Sequence, residues 1–241
     1  MKHAYLFFAV LLSVFTYGQD KPIVVVELFT SEGCSSCPPA DRLLSSIVNE
    51  DHENAEVIAL SFHVDYWDYI GWKDPYADSR FSKRQRNYAR KLVSSVYTPQ
   101  MVVNGRTQFV GSSRSSWKKA LYDEKSNATV EPLEITSKSL EDNKLQLTVA
   151  SNSRNDLINV AIVERNLSQN VNRGENRGRL LTHDNVVRAF DSKLDAGESS
   201  QFELVLPDNL DLTKSSVIVY NQNQSDLQIK GARKIPLSSL Q

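Results

Sequence analysis

Cys34 and Cys37 are the only thiols in the 241-residue chain. They sit in "ELFTSEGCSSCPPADRLL", residues 27–44, between an apolar run and a helical stripe. Two thiols at this spacing can close a disulfide, exchange it with another thiol, or hold a soft metal ion. A structural staple is a poor use for them, because so short a loop restrains the unfolded chain little. Redox exchange or metal binding is the chemistry that remains.

The flanking elements set the electrostatics of the pair. Residues 23–29, "IVVVELF", read as a buried strand of the parallel-sheet kind. Ala40, Leu43, Leu44, Ile47 and Val48 recur at helical spacing and form one apolar stripe. Pro38 and Pro39 suit the first turn of that helix, and Asp41 complements its positive end. Cys34 then precedes or caps the helix, where orphan N–H groups and the dipole favour a thiolate. Cys37 falls one turn later and is partly buried. The expectation is that exposed, acidic Cys34 attacks and forms a mixed disulfide, which shielded Cys37 resolves. Ser35 and Ser36 are small enough to let a partner approach.

Further elements follow in the order of an α/β unit. "EVIALSFHV", 56–64, reads as a second buried strand, and 65–79 as an aromatic loop. A helix is expected over about Arg80–Val93. Phe81, Tyr88, Ala89 and Leu92 lie on its apolar side, and Arg80, Lys83, Arg84, Arg86, Arg90 and Lys91 on a basic side. That side reads as solvated, with anionic lipid or an acidic partner as the alternative. Asn104-Gly105 between two β-rich runs marks a hairpin, and a last helix spans about Ser113–Glu124. Residues 20–125 therefore form an α/β domain, with a border near 126–132. Beyond it the helical stripes stop. "KLQLTVA", "LINVAIVE", "QFELVL" and "SSVIVYN", divided by turn signals, predict an all-β sandwich domain over 130–241.

Composition narrows the partners. A formal net charge of −1 argues against nucleic acid. "MKHAYLFFAVLLSVFTYGQD" has a short basic start, an apolar run and a small-x-small pattern, so residues 1–18 read as a secretory signal cut near Gly18–Gln19. Export to a periplasm or the exterior is expected, with no membrane association after cleavage. Disulfides persist in such compartments.

The order of elements, the CxxC followed by Pro38, and Thr98-Pro99 just ahead of the hairpin resemble the thioredoxin fold. That resemblance implies a cis-proline at Pro99 beside the cysteines, and a Thr98 backbone available to an incoming peptide. "VVELFTSEGCSSCPPAD", "FHVDYWDYIGWKDP", "VYTPQMVVNG" and "GENRGRLLTHDNVVR" resemble a sparsely characterised secreted bacterial family of thioredoxin-like proteins, over nearly the whole mature chain. This second resemblance implies fold more than function. Gly33, and no tryptophan, precedes Cys34. The acid of the preceding strand, Glu27, lies seven residues before Cys34, one more than in thioredoxin.

Other residues carry two readings each. His63 tunes the thiolate or binds a metal with both cysteines; otherwise it is a hydrogen-bonded structural histidine. Tyr66, Trp67, Tyr69 and Trp72 floor a peptide groove or cover a sheet edge. The Arg- and Gly-rich segment 172–190, with His183 and Asp184, reaches over the redox site or is a loop leading into a strand. The reading these residues favour is a thiol–disulfide oxidoreductase acting on protein thiols, with no cofactor beyond the Cys34–Cys37 disulfide. Copper or another soft metal on the two cysteines with His63 or His183 is the alternative, and a non-enzymatic binding module the third. The sandwich is expected to pack on the redox domain, with segment 172–190 bordering the Cys34 cleft and Tyr66, Trp67 and Trp72 on the opposite rim.

Overall fold

A computed structural model of the chain describes residues 21–127, 133–150, 155–195, 197 and 199–240. The expected leader, 1–18, and most of the expected domain border, 128–132, lie outside the described residues.

Strand β1 (Ile23–Thr30) is central. Alternation along it sends Val24, Val26 and Leu28 to one face and Val25 and Phe29 to the other. β2 (Glu56–His63) runs parallel to it, from Ile23 beside Glu56 to Thr30 beside His63. On its other side β3 (Gln100–Val103) pairs antiparallel and turns into β4 (Thr107–Val110) through Asn104-Gly105, both at positive φ. Helices α1 (Pro38–Asn49) and α3 (Arg114–Asn127) cover the Val24 face, with Leu43, Leu44, Ile47, Trp117 and Ala120 in one apolar cluster. Helix α2 (Ser79–Lys91), capped by Asp78, covers the opposite face with Phe81 and Tyr88.

Arg84, expected on the solvated side of α2, is turned inward, with only 11% of its side chain exposed. Its guanidinium donates to Glu27 at 2.7 Å and lies 5.2 to 5.7 Å from the ring centres of Phe62, Tyr88, Phe190 and Tyr220. The Tyr88 and Tyr220 hydroxyls donate to the same carboxylate. A carboxylate buried on the α2 face needs these partners, and they draw one arginine out of the basic stripe.

The second half of the chain supplies β5 (Glu134–Glu141), β6 (Lys144–Ala150), β7 (Asp156–Glu164), β8 (Leu167–Asn170) and β9 (Leu180–His183). β10 (Val186–Leu194), β11 (Ser199–Val205), β12 (Ser215–Asn223) and β13 (Ile229–Pro236) complete it. These strands do not form a separate unit. One eight-stranded sheet runs β13-β12-β7-β10-β2-β1-β3-β4. At the junction Val186 pairs with Ser61, the Ser61 N–H donates to Asn185 O at 2.8 Å, and Asn185 Nδ2 donates to Ala59 O at 2.8 Å. The core is equally continuous: Phe62 and Phe81 share a cluster with Ala161, Val163, Ile218 and Tyr220.

Two facing sheets do occur. The three-stranded sheet β11-β6-β5 packs Leu145, Leu147 and Phe202 onto Val160, Ile162, Val217 and Val219. The expected sandwich strands are thus divided between this layer and the large sheet. β7 and β12 are buried along almost their whole length, as central strands covered on both faces must be. β8 and β9 stand apart as a hairpin carrying residues 171–179 at its tip. Among the described residues no helix is long and apolar enough to cross a membrane.

The β3–β4 turn supplies a test of the joined halves. Gly105 has φ +68°, and a Cβ there would lie 1.8 Å from the backbone oxygen of Leu227. Left-handed strain and a displaced backbone together make Gly105→Ala cost about 2–4 kcal/mol, measured by urea unfolding. Unchanged stability would contradict this contact.

Candidate functional site

Thr30 ends β1, and Ser31 to Ser36 form the turn into α1. The Cys34 N–H donates to Ser31 O at 3.1 Å and the Cys37 N–H to Cys34 O at 3.2 Å, so the turn is already wound when Cys37 caps the helix. Pro38 and Pro39 follow, where no N–H is needed. Cys34 and Cys37 are joined as a disulfide with Cα atoms 5.4 Å apart. Gly33 is demanded by close approach: a Cβ there would lie 2.9 Å from Trp67 Cβ and 3.2 Å from Ile70 Cδ1. The 3₁₀ turn Asp65–Ile70, within the expected aromatic loop, therefore packs directly on the CxxC turn.

Cys34 is not exposed. Both cysteines are fully buried, and only Ser35 and Ser36 of the turn reach solvent. The tip of the β8–β9 hairpin supplies much of the cover. Asn176, itself fully buried, donates from Nδ2 to Glu32 O at 2.8 Å and to Cys34 O at 2.9 Å. Glu175 accepts from the Ser35 N–H at 3.0 Å, and hydrogen bonding by the Ser35 side chain and then by this N–H holds its carboxyl below the ordinary range. Gly174 and Gly178, at positive φ, let the strap fold tightly. The strap closes on itself through Gly178 N–H to Val171 O at 2.8 Å.

Below the strap lies a group of buried titratable side chains, Glu32, Asp41, His63, Asp74 and His183, none more than 4% exposed. Each comes from a different segment: the CxxC turn, α1, the end of β2, the loop ahead of α2, and β9. His63 Nδ1 and Asp74 Oδ2 are 2.7 Å apart, and the Glu32 N–H donates to the same oxygen at 2.9 Å. His183 Nε2 is 3.2 Å from Glu32 Oε1, whose other oxygen accepts from Trp72 Nε1 at 2.8 Å. Thr30 Oγ1 donates to Asp41 Oδ1 at 2.9 Å, and Asp41 Oδ2 lies 3.8 Å from His183 Nδ1. The two imidazoles meet edge to face at 4.9 Å.

Burial alone pulls the His63 imidazole down, but the charge and hydrogen bond of Asp74, with Asp41 and Glu32 behind it, hold it above its ordinary value. Burial pushes Asp74 up, and it is outweighed by His63 and by the N–H groups of Glu32 and Tyr76, which hold the carboxyl below the ordinary range. Asp41 goes the other way: burial, aided by Asp74, pushes it up against the pull of His183, His63 and Thr30.

Of the residues expected here, His63 and His183 join this group, and Trp72 is tied to it through Glu32. Trp67 Nε1 donates to Thr98 Oγ1 at 2.8 Å, and the Thr98–Pro99 peptide is cis. A methyl placed on Gly111 would touch both Pro99 Cβ and Ala40 Cβ at 3.2 Å, which sets Pro99 beside the first turn of α1. Tyr66 packs with Trp67 against the α2-side core. Trp72 is not on a rim opposite the strap, because its Cβ is 3.4 Å from where a Gly174 Cβ would stand. Glu27 has no part in the site: it shares the β1 face of Val25 and Phe29 and pairs with Arg84, whereas α1 lies on the other face. Among the described residues no three His, Cys, Asp or Glu are grouped to hold a metal ion. The sequence reading missed Glu32, Asp74, Glu175 and Asn176, and took Asp41 only as a partner of the helix dipole.

The chain belongs to the family described as a protein of unknown function, DUF1223, which matches residues 25–222. It is similar to a crystal structure of an Agrobacterium tumefaciens protein, at 28% identity and a TM-score of 0.67, over 88% of this chain and 93% of that one. HBP35 of Porphyromonas gingivalis shares the fold at 15% identity and a TM-score of 0.63, over 90% of this chain and 76% of that one. No curated protein matches the chain.

Asp74→Asn would leave His63 without its counter-ion, a change that costs about 3–5 kcal/mol when a buried pair is broken. His63 is raised, so its share of stability is fully present below the ordinary 6.5 and is lost as pH rises through its folded value. Asp74 is depressed, so its share is present above 3.8 and is lost as pH falls through its folded value. Urea unfolding across this range should show the penalty of Asp74→Asn shrinking at alkaline pH. A penalty independent of pH would contradict the pairing.

Proposed function

We propose that the protein is an exported thiol–disulfide oxidoreductase of thioredoxin-like type, acting on protein thiols through Cys34 and Cys37. The observation that carries this reading is the disulfide between these two residues at the first turn of α1. A bridge over so short a loop contributes less than the ~3 kcal/mol of a fifteen-residue loop, so stability is a weak reason for it. The helix start stabilises a thiolate once the bridge opens. The cis Thr98–Pro99 peptide and Trp67 support the reading from the neighbouring loop.

Cys34 takes the attacking role. Its Sγ lies 3.3 Å from the Ser36 hydroxyl, which can stabilise a thiolate, and exposed Ser35 and Ser36 flank it. Cys37, fully buried at the N-cap of α1, resolves the mixed disulfide. Asn176 and Glu175 restrict access, so the substrates are thiols whose carrier displaces the strap.

A redox titration of the mature chain tests the reading. The expected outcome is a reversible two-electron transition, with the reduced Cys37→Ser variant attacking a substrate disulfide through Cys34, releasing one substrate thiolate and retaining the other half as a mixed disulfide. Absence of any transition, or trapping that proceeds on Cys37 in Cys34→Ser instead, would refute it.

A further inference from the structure

The strap of residues 171–179 carries Arg173, Arg177 and Arg179 against a single acid, Glu175, a net charge of +2 on a chain whose formal net charge is −1. All four of these residues are exposed, and their charges are not paired with one another. Among the described residues the Arg173 and Arg177 guanidinium groups have no hydrogen-bond or ion-pair partner. Glu175 passes over the arginines beside it in sequence and accepts from the Ser35 N–H on the CxxC turn, at 3.0 Å. Arg179 donates from Nη1 to Asn176 Oδ1 at 2.9 Å, and the same amide donates from Nδ2 to Cys34 O at 2.9 Å. Lys73 adds an exposed cation next to Trp72, whose Cβ is 3.4 Å from where a Gly174 Cβ would stand. The acid of that loop, Asp68, is half-buried and accepts from the Asp74 N–H at 3.3 Å. The mouth over the disulfide thus presents unpaired guanidinium groups around one carboxylate.

We propose that the strap recognises an acidic segment of the partner protein, whose carboxylates engage Arg173, Arg177 and Arg179 and replace Glu175 at the Ser35 N–H, so that docking and uncovering of the disulfide are one event. For the use made of the uncovered bridge, this rests on the oxidoreductase reading above. The turn N–H already takes a carboxylate through a charge-assisted hydrogen bond. That carboxylate comes from the strap itself, so Glu175 stands where a partner's acid would bind. The closed strap withholds the Ser35 N–H and Arg179 from any partner. An acidic segment therefore binds the open strap more tightly than the closed one, and shifts the population toward open. Drawing Arg179 away also strips Asn176 Oδ1, on a fully buried residue, of its donor, which penalises the closed form. A polypeptide fits better than an anionic lipid surface. Leu180 is the one exposed large apolar residue in 171–183, and a helix or loop that enters a bilayer surface needs an apolar face.

The test uses the full mature chain in its disulfide form and two dye-labelled, cysteine-free peptides of equal length. One is rich in Asp and Glu, the other carries Asn and Gln at the same positions. By fluorescence anisotropy the acidic peptide should bind at least about 10-fold more tightly at low salt. The difference should vanish near 1 M salt, where the screening length is about 3 Å. Arg173→Gln combined with Arg177→Gln should abolish it, whereas Glu175→Gln, which weakens the internal competitor, should strengthen acidic-peptide binding. The acidic peptide should also speed reduction of Cys34–Cys37 by dithiothreitol, which gives up two electrons to the bridge, and the amide peptide should not. Equal binding of the two peptides, acidic binding that survives loss of both arginines, or binding without faster reduction overturns the proposal. So does arginine-dependent binding to phosphatidylserine vesicles with none to the acidic peptide. None of these results touches the oxidoreductase reading, which fails separately if the titration of the unliganded chain shows no two-electron transition.

Discussion

The contact of β10 with β2 is short, and much of the molecule hangs on it. Val186 lies against Ser61, and Asn185 accepts from the Ser61 N–H and donates to Ala59 O. A sheet edge left at β2 would expose a row of unpaired N–H and C=O groups. Covering it with β10 extends the sheet by four strands. It also fixes the chain that precedes β10, namely His183, Asp184 and the β8–β9 hairpin. The hairpin's tip therefore lands on the CxxC turn, more than 140 residues distant in sequence. The cover over the disulfide follows from how the sheet is continued.

The buried charges are arranged around the same seam. On the α2 face Glu27 holds Arg84, Tyr88 and Tyr220, tying β1, α2 and β12 together. At the end of β2, His63, Asp74, Glu32, His183 and Asp41 tie the CxxC turn to β9. Such groups are costly to bury and costly to break one member at a time. They add little net stability over an apolar core, but they penalise any arrangement in which strap, turn and helix are not together. Within the cluster His63 and two N–H groups hold Asp74 low against the effect of burial, while burial pushes Asp41 up.

The local signals in the sequence corresponded to local structure. The Asn104-Gly105 hairpin and the apolar stripe from Ala40 to Val48 each specify an element through nearby residues alone. What depends on distant pairing was not legible. "LINVAIVE" and "SSVIVYN" announce strands, but only their lack of alternation hints at burial on both faces, and nothing local names β10 as their link to β2. Arg84 looks like its basic neighbours until Glu27 is known to face it. Asp41 at the start of a helix is read most simply as a dipole partner. Glu32 and Asp74 become site residues only when loops far apart in the chain converge. Segment 172–190 was singled out by composition, yet its holds, Glu175 and Asn176, are ordinary polar residues in sequence.

The central claim is that a reducible disulfide is kept from general thiols by the strap of residues 171–179. The most direct measurement is the rate at which dithiothreitol reduces Cys34–Cys37 in wild type and in Asn176→Ala, with the midpoint potential of each. Two hydrogen bonds at about 1 kcal/mol each correspond to roughly a 30-fold change in the open population. The account predicts reduction faster by that order in Asn176→Ala, with the potential little changed. Equal rates in the two proteins would contradict it.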